Sequence, residues 1–98
     1  MITKAHLMVY SDTLGTREEV TDFVKNTKEI KIWRYDMPNS FYLISDKLPA
    51  DLSTLVRNHF GEKGRFLITE VSDNCNGWLP PEAWYLLNNK KLKPKETT

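Results

Sequence analysis

Apolar positions along this chain switch between a period of two and a period near 3.6, and each switch marks an element. Ala5 to Tyr10 alternates. Ala5, Leu7 and Val9 can face one way, and His6, Met8 and Tyr10 the other. Both faces are fairly apolar, which suits a central strand. Ser11-Asp12 ends it, and Thr13-Leu14-Gly15 reads as a loop. Thr16 followed by Glu19 is a capping box. Glu18 and Glu19 set carboxylates at the positive end of the helix dipole. Val20, Phe23 and Val24 then follow at helical spacing, and Asn26-Thr27-Lys28 reads as the exit.

Strand chemistry returns at Ile30 to Tyr35 and at Phe41 to Ile44, both rich in β-branched and aromatic residues. Asp36 to Ser40 between them is turn chemistry, so the two strands form a hairpin. Leu52, Leu55, Val56, His59 and Phe60 make one helical face, with Pro49 fitting its first turn and Gly61 its end. Arg65 to Val71 alternates again. Asp73 to Gly77 is a polar loop. A last helix begins near Pro80 and Pro81, with Leu79, Ala83, Leu86 and Leu87 on its apolar side. The order β-α-β-β-α-β predicts a ferredoxin-like α/β (α+β) sandwich: a four-stranded antiparallel sheet, with an added C-terminal helix.

Length and composition narrow the picture. The chain has 98 residues, enough for one domain with a small core. Residues 1–89 are read as that domain and residues 90–98 as a flexible basic tail, where Lys90, Lys91, Lys93 and Lys95 stand among few apolar residues. Those lysines are the candidates for a weak, sequence-blind grip on nucleic acid. The formal net charge is only +1, so no general basic surface supports such binding. Cys75 is the single cysteine, which excludes an internal disulfide and a CxxC metal site. The first residues lack the apolar stretch of a signal peptide, and no apolar run approaches a membrane span. A cytoplasmic protein without membrane contact is expected.

Candidate chemistry is sparse. His59 lies on the apolar helix face and reads as a core-edge histidine. No HxxxH, His-Cys cluster, nucleophile elbow or Gly-rich phosphate loop is present. RNA-recognition modules share this element order, but here Phe41 and Tyr42 are adjacent and point to opposite faces, and the Gly and basic residue of that signature are missing. Asp12, just past the first strand, is the carboxylate able to hold a hard divalent cation, more so if a two-fold axis brings in its copy. Eleven aromatic residues crowd a small domain. Trp33 and Tyr35 on a peripheral strand, with Trp78 and Trp84 around the last helix, are the candidates for an interface.

Val9-Tyr10-Ser11-Asp12, Phe66-Leu67-Ile68-Thr69-Glu70-Val71 and Trp78-Leu79-Pro80-Pro81-Glu82-Ala83-Trp84 carry a resemblance. Together with the element order they look like the small CRISPR-associated Cas2 proteins and their SinR-like relatives. The resemblance implies a homodimeric scaffold. In Cas2 proteins reported as nucleases, an Asp directly after the Tyr binds Mg²⁺ across the dimer. Here Ser11 intervenes, and a one-residue shift turns a strand side chain to the other face. The leading expectation is a small intracellular homodimeric interaction or regulatory protein without catalysis or cofactor, of phage or mobile-element origin, whose protein partner the sequence does not name. The alternatives are a Cas2-like Mg²⁺-dependent endonuclease using Asp12, and a nucleic-acid-binding module.

Overall fold

The structure, a computed structural model, describes residues 2–92. The elements run β1 (Lys4–Tyr10), α1 (Arg17–Asn26), β2 (Ile32–Arg34), β3 (Ser40–Ser45), α2 (Pro49–Phe60), β4 (Phe66–Glu70) and α3 (Pro81–Asn89). The strands form one antiparallel sheet in the order β2-β3-β1-β4. This is the ferredoxin-like βαββαβ fold with an added C-terminal helix. It is the architecture that the order of apolar periods along the chain predicts.

Local chemistry explains the boundaries. The capping box of α1 forms: Glu19 N–H donates to Thr16 Oγ1 at 3.1 Å, and Thr16 N–H donates to Glu19 Oε1 at 2.9 Å. Pro49 opens α2, and Gly61 closes it at φ 70°, a left-handed value that favours glycine. Gly64 has a different role. A Cβ there would lie 2.3 Å from the Leu14 backbone nitrogen, so its bare backbone lets the loop after α2 close on the loop after β1. β2 is shorter than its apolar run. Ile30 N–H turns back to Thr27 C=O at 3.0 Å, which keeps that residue out of the ladder.

The alternation in β1 sorts the core into two layers. His6, Met8 and Tyr10 share one face with Phe41 and Leu43. Against most of that face pack Val20, Phe23 and Val24 of α1 and Leu52, Val56 and Phe60 of α2. The opposite face carries Ala5, Tyr42 and Ile44, and against it lie Ala83, Leu86 and Leu87 of α3. The chain is therefore three-layered, with two helices on one side of the sheet and one on the other. No helix among the described residues is long and apolar enough to cross a membrane.

Candidate functional site

The α3 side of the sheet is the incomplete one. A nine-residue helix is about 13 Å long and about 10 Å wide, too little to roof four strands. α3 covers the end of the sheet holding Ala5, Tyr42 and Ile44. Beyond it, Val9 on β1 and Leu67 on β4 stand directly opposite one another, 37% and 62% exposed. This apolar cross-strand pair lies in a shallow depression of about 290 Å³ that also takes in Ser11 and Arg65.

Between this open half and α3 runs a deeper apolar cleft of about 310 Å³. Leu7, Tyr42 and Val71 line it from the sheet side, and Trp84 and Leu87 from α3. Met37 and Trp78 come in from loops. The Tyr42 hydroxyl is buried and has no hydrogen-bond partner. Burial pushes its pKa up, and the Asp36 carboxylate adds to that. Trp78 is 97% exposed, on the loop that leads from β4 to α3.

Asp12 is held at the end of β1 by a pinned turn. Ser11 N–H donates to Arg65 C=O at 2.9 Å, and Ser11 Oγ accepts from Arg65 N–H at 2.9 Å. Ser11 is thus the residue that ties the end of β1 to the start of β4. Asp12 is exposed, and its Oδ1 accepts from Asn39 Nδ2 at 2.7 Å. Asn39 itself has φ 57°, in the left-handed region. Among the described residues no three His, Cys, Asp or Glu side chains group closely enough to hold a metal ion. A cation held by Asp12 would draw its remaining oxygens from water, substrate or a second chain.

The other candidates lie apart from this site. Trp33 is half-buried against the helix-covered core, 6.0 Å from the Phe41 ring. Tyr35 is exposed at 40%, with its ring 5.5 Å from Phe41 and the Arg17 guanidinium 4.7 Å above it. The two form one aromatic cluster at the β2 edge, on the opposite side of the sheet from the cleft. Trp84 packs against the α3 core alongside Leu79. His59 is exposed, its ring tilted against Phe23 at 4.9 Å and edge-on to Phe60 at 4.7 Å. Lys90 ends α3 and donates through Nζ to Leu87 C=O at 3.2 Å, while Lys91 is exposed. Lys93 and Lys95 lie outside the described residues. Lys4, Lys31, Arg34 and Arg57 each face a carboxylate.

Sequence reasoning passed over His6. Its alternation with Met8 and Tyr10 was the available signal. The ring is fully buried, and both nitrogens lack a hydrogen-bond partner. Desolvation lowers its pKa from 6.5, opposed by the Glu70 carboxylate and by backbone groups of Lys47 and Ser45 that lie near the ring without completing a hydrogen bond. Sequence reasoning also missed the Val9–Leu67 pair, because pairing between distant strands decides which apolar residues share a face.

No family model, curated protein or solved structure matches the chain. The class rests on the fold: a ferredoxin-like α+β domain with a half-roofed second sheet face.

Proposed function

We propose that this chain is a small, non-enzymatic interaction protein that works as a homodimer through the open half of its sheet. The observation that carries the reading is the exposed Val9–Leu67 pair, on strands whose other face packs into the helix-covered core through Met8, Tyr10, Phe66 and Ile68. Apolar side chains on an unroofed sheet face are stabilised by burial, at about 25 cal/mol per Å². A second copy offers the same surface, as a two-fold interface needs. β4 is also an edge strand, and covering an edge removes a template for aggregation. The resemblance to Cas2-like and SinR-like proteins supports the same dimeric scaffold. A cytoplasmic setting belongs to this reading and is supported by Cys75, exposed as a free thiol. Carboxylate partners on Lys4, Lys31, Arg34 and Arg57 support a protein rather than a polyanion as the partner.

Light scattering at a concentration on the order of tens of micromolar tests it. The expected mass is that of two chains, and Leu67→Lys returns the monomer mass without lowering the melting temperature of that monomer. A parent that stays monomeric refutes the reading, and so does a Leu67→Lys variant that remains fully dimeric.

A further inference from the structure

We infer that the two copies lock together by exchanging Trp78, the indole of each chain entering the cleft between α3 and the sheet of the other. This rests on the homodimer reading and names the contact that holds it.

Three observations meet at one place. Trp78 is 97% exposed, so its own chain gains almost nothing from burying one of its three largest apolar side chains. The cleft beside it is apolar and has a volume of about 310 Å³. An apolar cavity of about 150 Å³ already holds a benzene ring, so a two-ring indole has room. The Tyr42 ring lines the cleft, and aromatic rings pair favourably with an indole.

Knob and hole on one surface fix the occupant. Trp78 stands on the loop that borders its own cleft, so both belong to the same side of the sheet. A two-fold axis through such a surface makes the contact twice, each Trp78 meeting the other chain's cleft. The cleft also includes Leu7, two residues before Val9, so the exchange continues the apolar surface of the open half. Buried tryptophans at the centre of an interface are the side chains that most often dominate its affinity.

Two variants separate this contact from folding. Trp78→Ala removes the knob and leaves the hole. Since the indole is exposed in the single chain, its circular dichroism and monomer melting temperature should match the parent. Val71→Trp fills the hole and leaves the knob. Each variant alone should dimerise at least about 30-fold more weakly than the parent. Mixed, they should form a heterodimer tighter than either self-pair, because one knob then meets one open hole. Trp78 emission, read as the parent's spectrum less that of Trp78→Ala because Trp33 and Trp84 also emit, should shift to the blue on association.

If the parent dimerises but Trp78→Ala dimerises as well as it does, the exchange is wrong and the homodimer stands on other contacts. If the parent is monomeric, the homodimer reading fails and takes the exchange with it. A mixture no tighter than its components, or a dilute parent monomer whose Trp78 emission is already blue-shifted from filling its own cleft, also overturns the exchange.

Discussion

The two faces of the sheet are built to different standards. On one, α1 and α2 bring Val20, Phe23, Val24, Leu52, Val56 and Phe60 down on Met8, Tyr10, Phe41 and Leu43. On the other, one nine-residue helix covers Ala5, Tyr42 and Ile44 and leaves Val9, Leu67 and the cleft. Both faces hold a buried cluster, the first face the larger one. The second has apolar surface beyond what a single chain can use. The contrast separates stability from function: substitutions on the first face should unfold the protein, and substitutions on the open half should change what it binds.

The sharpest way to break this comparison is a matched pair of truncations. Phe41 is 1% exposed in the two-helix layer, so Phe41→Ala should cost about 3–5 kcal/mol. That is a large share of the stability of a domain this size. Trp84, on α3, is half-buried against the second core cluster. Trp84→Ala should cost less, about 2 kcal/mol, because part of the ring already meets water. Urea unfolding of both variants at one protein concentration measures the difference. A Trp84→Ala loss equal to or above that of Phe41→Ala would mean that α3 is as much a core element as α1 and α2.

Local signals in the sequence carried most of the fold. The Thr16–Glu19 capping box, the helical stripe from Leu52 to Phe60 and the alternation of β1 act between near neighbours, and each forms, except that His59 of the stripe stands exposed. What escaped was decided by distant pairing. Leu79, Ala83, Leu86 and Leu87 show that the last helix has an apolar side, but nothing local says which face of the sheet it meets. Nothing local says whether Trp78, two residues before Pro80, closes the core or stands outside; it is 97% exposed. Trp33 read as an interface residue, and the pleat of β2 turns it toward Phe41 and the helix layer.

His6 offers a finer probe of the two-helix face. A histidine held below its ordinary value binds fewer protons folded than unfolded. Its contribution is therefore whole above about pH 6.5 and declines as the pH falls, until the folded-state value has been passed. Glu70 favours the charged ring, Lys4 opposes it, and burial outweighs both. Asp46, lowered by hydrogen bonds from Lys31 and then Thr3, and Glu19, lowered by its bonds to Thr16, lose their contributions only at more acid pH, below their ordinary values of 3.8 and 4.5. His6→Met keeps an apolar side chain of similar length and removes the titration. The parent's urea midpoint should fall between about pH 7.5 and pH 5, and the variant's should fall much less. Equal falls would show that His6 is not the group responsible for the loss in this range.

The smallest effect on stability belongs to Asp12, and there the comparison meets the enzyme alternative. Asp12→Asn leaves a side-chain oxygen able to accept from Asn39 Nδ2, so the turn should hold and stability should change by less than about 0.5 kcal/mol. If Asp12 binds Mg²⁺ for a nuclease, the same substitution removes the charge the metal needs. The parent protein, incubated with single-stranded RNA or duplex DNA and Mg²⁺ or Mn²⁺, is expected to leave both intact. Asp12 Oδ1 is engaged by Asn39, no second carboxylate joins it among the described residues, and a net charge of +1 gives little hold on a polyanion. Metal-dependent cleavage that disappears in Asp12→Asn while the fold persists would replace the non-enzymatic reading. The open sheet half would then be the surface that assembles a shared active site.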